Sequence, residues 1–164
     1  MIEIIEKMNA AGLLDAGEAD AVLSRMSGGE SLEHALLGGS SLPEGEILRF
    51  FSEEFQYPLI DLEASTPSKA FLSKFPARIL LKRQVLPLEN GDAIPFLVSS
   101  GVSDTSGIDE LRLATGMDFK PALAPSVEIL RCIKRCLGVG ADTVQSMVTE
   151  EVDSGLRIID QAAD

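Results

Sequence analysis

Cationic residues are scarce in this chain: 14 Lys and Arg stand against 26 Asp and Glu, a formal net charge of −12. Such a balance repels phosphate backbones and anionic headgroups, so neither nucleic acid nor direct membrane insertion is expected. Histidine occurs once, at His34, with Glu33 beside it, and no nucleophile and orienting group accompany it. It reads as a solvated helical side chain. Cysteine occurs only as Cys132 and Cys136, four apart in a helical segment. A structural zinc site needs four ligands, so the pair reads as small buried apolar side chains in a reducing compartment. No stretch approaches the roughly 18 apolar residues of a transmembrane helix. The start, Met1-Ile2-Glu3-Ile4-Ile5-Glu6-Lys7, mixes carboxylates with apolar residues and lacks the basic and continuous apolar regions of a signal peptide.

Chemical motifs are equally sparse. The pairs Gly28-Gly29 and Gly38-Gly39 are followed by Glu30 and Ser40, with no Lys to complete a P-loop. Ser99-Ser100-Gly101 lacks the leading glycine of a nucleophile elbow. Glu44, Glu46, Glu53 and Glu54 sit on an amphipathic helix, where acidic pairs form the solvated face. No catalytic residue, metal site or cofactor is expected. Two cationic clusters stand out against the acidic background, Arg78-Lys82-Arg83 and Arg131-Lys134-Arg135. Either suits an acidic partner surface, or neutralises the domain's own carboxylates. Arg78, Lys82 and Arg83 are the candidate partner-binding residues.

What is present is a foldable pattern. Of 164 residues, 45% are hydrophobic and the mean hydropathy is +0.17, enough for one core or for a domain beside a small helical unit. Ile4, Ile5 and Met8 keep helical spacing up to Gly12, and Asp15 can cap a second helix carrying Ala19, Val22, Leu23 and Met26. The grammar repeats: Ser31 caps a helix with Leu32, Leu36 and Leu37, and Pro43 opens another with Ile47, Phe50, Phe51 and Phe55. Superposing Leu14 on Leu42 also places Gly17 on Gly45, Glu18 on Glu46, Ser24 on Ser52, Ile4 on Leu32 and Met8 on Leu36. This is a tandem helix-turn-helix duplication. The phenylalanines are core first, and any that faces outward is an interface anchor.

From Tyr57-Pro58 the texture changes. Leu59-Ile60-Asp61-Leu62 reads as extended, and Thr66-Pro67-Ser68 introduces a helix through Phe71 and Leu72 that Pro76 ends. The run from Ala77 to Leu88 leads to Asn90-Gly91, a hairpin signal, with Ala93 to Val98 as the returning strand. Pro87 and Pro95 belong at an edge or bulge. Asp104-Thr105-Ser106 starts a helix with Ile108, Leu111, Leu113 and Ala114 apolar, Phe119 to Leu123 is a further strand, and Ser126 starts a helix with Val127, Leu130, Ile133, Cys136 and Leu137 that Gly138 and Gly140 stop. The expected fold class is α+β: tandem helical hairpins over 1–57, then a small, mostly antiparallel sheet with two or three packed helices over 58–140. Residues 141–164, acidic apart from Arg157, read as a linker or tail from which the natural chain continues.

Tandem helical motifs, the Tyr57-Pro58-Leu59-Ile60-Asp61-Leu62-Glu63 segment, a proline-rich two-strand unit, a capped helix and a closing amphipathic helix together resemble the amino-terminal domain of the ATPases that drive type II secretion and type IV pilus assembly. The resemblance spans about Ile4 to Gly138 and is strongest over Ile47 to Leu137. It implies a non-catalytic docking or regulatory domain, cytoplasmic and peripheral to the inner membrane, bound to the cytoplasmic part of an inner-membrane assembly protein. A C-terminal ATPase domain beyond the linker would carry the P-loop. Some members bind cyclic di-GMP through paired motifs with an Arg-Leu-Gly start, spaced leucines and a closing Gln. Here those positions read Glu3-Ile4-Ile5, Ser31-Leu32-Glu33 and, at the second close, Glu54. The changes remove cation and add anion where a phosphate must sit. A nucleotide-sensing role is therefore the alternative, and no nucleotide-binding residue is assigned.

Overall fold

The computed structural model describes residues 2–91 and 93–137; Gly138, Gly140 and the acidic segment 141–164 lie outside the described residues. Four helices come first: α1 (Ile2–Ala10), α2 (Ala16–Ser27), α3 (Leu32–Gly39) and α4 (Glu44–Phe55). Their starts follow from side-chain caps that meet backbone donors with no helical partner. Asp15 accepts from the Glu18 N–H at 2.7 Å while Glu18 accepts from the Asp15 N–H at 3.3 Å, a reciprocal capping box, and Ser31 Oγ accepts from the His34 N–H at 3.2 Å. The duplicated apolar positions become one core of Ile4, Ile5, Met8, Ala19, Val22, Leu32, Leu36, Ile47, Leu48 and Phe51, joined by Leu123 from the second half. Each of the larger side chains here, Val, Leu, Ile, Met or Phe, stabilises by about 1.5–3 kcal/mol when fully buried. Phe51 is buried, and Phe50 and Phe55 pack half-buried against this core, Phe55 stacking on Tyr57 at 5.8 Å.

The second half holds α5 (Lys69–Leu72), α6 (Ala77–Arg83), β1 (Leu86–Leu88), β2 (Phe96–Ser99), α7 (Ser106–Thr115), β3 (Lys120–Leu123) and α8 (Ser126–Leu137). The architecture is α+β, as the sequence indicates. The sheet, in the order β1-β2-β3, is mixed: β1 runs antiparallel to β2 with Leu86 opposite Val98, and β2 runs parallel to β3 with Phe96 opposite Lys120 and Ser99 opposite Leu123. Parallel pairing follows from the intervening α7, because a helical crossover returns the chain in the same direction. Leu59 adds a parallel bridge to Leu123, so the chain lies along β3 from Pro58 to Ile60; the extended reading ends there, because Leu62 already stands in a turn that starts at Asp61. Pro87 lies in β1, an edge strand, which spares it a ladder donor.

Two local readings change. The stretch 77–83, read from sequence as leading straight into a strand, is helical: Pro76 stands at its N-cap, Leu80 and Leu81 turn inward, and Gln84 in the left-handed region (φ 52°) ends it. The loop at Asn90-Gly91 is also longer than a two-residue hairpin turn, with Asn90 Nδ2 donating to the Ile94 carbonyl at 3.0 Å. On α7, Leu111 is buried and Leu113 is 88% exposed, because Gly107 brings the helix down onto Val85 and sets which face is covered. On α8 the buried stripe is Ile129, Cys132, Ile133 and Cys136, with Val127 outside it. A second core gathers Leu62, Leu72, Phe75, Leu80, Leu86, Leu97, Val98, Leu111, Phe119 and Ile133.

Candidate functional site

β2, α7 and β3 make a β-α-β unit, and parallel strands of this kind open a crevice at their carboxyl ends. Here that crevice is a cleft of about 480 Å³ between the helical hairpins and the sheet unit. Ser99 and Ser100 from the end of β2, Ser126 from the start of α8, and Lys82 from the end of α6 form one side of it. Glu33, His34, Leu37 and Glu44 form the other.

Helix starts and the loops before them present backbone N–H groups that attract anions. In this cleft the chain's own carboxylates meet them. Glu33, in the first turn of α3, accepts from the Val102 N–H at 2.7 Å and the Ser103 N–H at 2.9 Å, and also from the Ser103 hydroxyl. Glu44, the first residue of α4, accepts from the Ser126 N–H at 3.1 Å and from the Ser126 hydroxyl at 3.0 Å. Asp104, at the rim, accepts from Ser106; the Ser106 side chain and N–H hold its carboxyl below the usual range.

The predicted cationic residues separate. Arg83 is half-buried and paired with Glu110 of α7, its Nε 2.7 Å from the carboxylate, so its charge is committed inside the fold. Lys82 is exposed at the cleft, and Arg78 is exposed one turn earlier on α6. In the second cluster Arg131 and Arg135 are exposed and Lys134 is half-buried. Of the acidic set, Glu46 pairs with Arg49 at 3.2 Å and Glu54 with Lys7, which raises the Lys7 pKa. His34 is exposed on the cleft wall.

Cys132 and Cys136 are buried with their sulfurs 3.9 Å apart, and burial, then the neighbouring thiol, pushes the Cys132 pKa up to about 11. A thiol held neutral in this way, as at Cys132, is a poor nucleophile. Among the described residues no group of three or more His, Cys, Asp and Glu is placed to hold a metal ion. The sequence reads Glu33 as an anion added beside the second motif and Glu44 as part of a solvated face, and the structure shows both engaged across the cleft. A signal existed for Glu33: the repeat aligns it with Ile5, which is buried in the core, so its departure from the apolar pattern marks a side chain with a different task.

Comparison with known proteins gives one family. The family model described as the MshEN domain matches residues 55–143, which takes in the sheet unit and begins at the last residue of α4. No curated protein matches the chain. Among solved structures, MshE with cdg aligns at 16% identity with a TM-score of 0.69, covering 80% of this chain and 96% of that one; at this identity the likeness is one of fold. The N-terminal domain of XpsE aligns in two crystal forms. One gives 27% identity, a TM-score of 0.63 and coverage of 80% and 92%; the other gives 25%, 0.53, and coverage of 81% and 93%. These structural alignments extend beyond the sheet unit to the helical hairpins. With more than half its length inside the family model and this fold throughout, the chain belongs to the MshEN domain family, whose members stand at the amino terminus of type II secretion and type IV pilus ATPases.

Proposed function

We propose that this chain is a non-catalytic docking domain that recruits a secretion or pilus ATPase to the cytoplasmic part of an inner-membrane assembly protein. On this reading residues 1–57 are the helical unit, 58–140 the sheet unit, and 141–164 lead toward a motor domain; the protein is cytoplasmic and reaches the membrane through its partner. No helix among the described residues is long and apolar enough to cross a membrane. The observation that carries the reading is the state of the cleft. Its backbone donors already hold Glu33 and Glu44, and Arg83 already holds Glu110, while Lys82 is exposed at the cleft of an acidic domain, with Arg78 at the surface one turn earlier on α6. Exposed cations in such a setting steer association with an acidic surface.

Capture of the cytoplasmic domains of inner-membrane secretion and pilus proteins tests this, run at low and moderate salt. One of them should be retained, less strongly as salt rises, and Arg78→Glu/Lys82→Glu should weaken retention without unfolding the domain. Retention of none by a folded domain would refute docking. The alternative, a cyclic di-GMP sensor, expects a raised melting temperature with that nucleotide. Glu33 in the cleft opposes it.

A further inference from the structure

We infer that Glu33 and Glu44 form a two-point latch across the cleft, fixing the helical hairpins to the sheet unit. The parallel pair β2 and β3 ends at Ser99 and Leu123, and each strand passes through a short loop into a helix, α7 or α8. Two sets of backbone donors therefore converge on one crevice, a place where this kind of fold accepts anionic groups. Both sets are satisfied from across the cleft: Val102 and Ser103 by Glu33, and Ser126 by Glu44.

The two carboxylates come from successive helices of the hairpin unit, so the units separate only if both contacts break. Gly101 is fitted to the arrangement, since a methyl group on its Cα would overlap the Glu33 carboxyl. Glycine is thus needed there for close approach and not for an unusual backbone angle. The duplication tells the same story. Where the first repeat buries Ile5 in its own core, the second has Glu33 reaching out of the hairpin unit. An outside carboxylate or phosphate gains these donors only by displacing a tethered anion, whose effective concentration is high. This inference does not depend on the docking reading.

Backbone amide exchange on the full chain tests the latch in Glu33→Gln, Glu44→Gln and Gly101→Ala. Loss of a charge-assisted bond should speed exchange at the directly affected amides by about tenfold or more. The decisive expectation is crossed: Glu33→Gln and Gly101→Ala should also speed Ser126, and Glu44→Gln should also speed Val102 and Ser103, while Leu97 and Ile133 keep their protection. Strictly local effects would make the carboxylates two independent caps and overturn the latch. A uniform rise that includes Leu97 and Ile133 would make them general stabilisers and overturn it equally.

Discussion

Two adjacent glycines in α3 should respond very differently to the same substitution. A Cβ on Gly39 would lie 3.1 Å from Val22 Cγ2, 3.2 Å from the Val22 nitrogen and 3.3 Å from its Cα. Two of those three atoms are backbone of α2, so relief requires the helices to move apart. Overpacking of this kind costs about 1–3 kcal/mol. Alanine regains less than about 1 kcal/mol of helix propensity, and less still at the last residue of a helix. The net expectation for Gly39→Ala is a loss of about 1–2 kcal/mol.

At Gly38 the obstructing group is the Arg25 guanidinium, the far end of a flexible side chain. Moving it disturbs an exposed ion pair with Glu30 at 3.1 Å, worth about 0.2–1 kcal/mol, and the propensity gain offsets this. Gly38→Ala should therefore stay within about 0.5 kcal/mol of the parent. Urea unfolding at constant m, with thermal scans, separates the two. At about 2–4 °C per kcal/mol for a chain of this size, Gly39→Ala should melt about 2–8 °C lower and Gly38→Ala within about 2 °C. Equal losses, or an unchanged Gly39→Ala, would refute the close crossing of α2 and α3. Adding Val22→Ala should not rescue Gly39→Ala, since the backbone contacts remain.

Phe51→Ala, which empties the centre of the helical core, should cost about 3–5 kcal/mol in the same assay, whereas Leu113→Ser should change stability by less than about 0.5 kcal/mol. Glu18 accepts from the Ser41 and Asp15 N–H groups, and these bonds lower its pKa; an NMR titration should find it ionised at pH values where a free Glu is half-protonated. Because the folded value is the lower one, its stabilising contribution is complete above the ordinary carboxylate pKa and is lost as pH falls through the depressed value. Cys132 behaves in the opposite sense: with its native pKa raised to about 11, the unfolded thiol ionises first, so stability should decline from about pH 9 to pH 11. A thiol reagent at pH 8 should label native Cys132 only as fast as the domain opens.

How far the sequence reveals this molecule depends on the range of the interaction that decides each feature. Caps and apolar faces are local, and Asp15, Ser31, Ile4, Met8 and Ile47 announce themselves by spacing. The parallel pairing of β2 with β3 is not local. It follows from α7, whose helical crossover sets the direction in which the chain returns to the sheet. Charge is harder still, because a charged side chain gives no sign in sequence of whether it faces water or a partner far along the chain. Arg78, Lys82 and Arg83 look alike on paper, yet Glu110 claims Arg83. Glu44 looks like a member of a solvated acidic face and Glu33 like an anion added beside the second motif, yet their partners stand some seventy and eighty positions onward, at Ser103 and Ser126. The duplication could have supplied the missing clue. A repeat fixes what an ordinary residue at each position should be, so a carboxylate at the counterpart of a buried isoleucine is a departure that local helix physics cannot account for. Residues that break an internal repeat are therefore the places in this fold to look for contacts between its two halves.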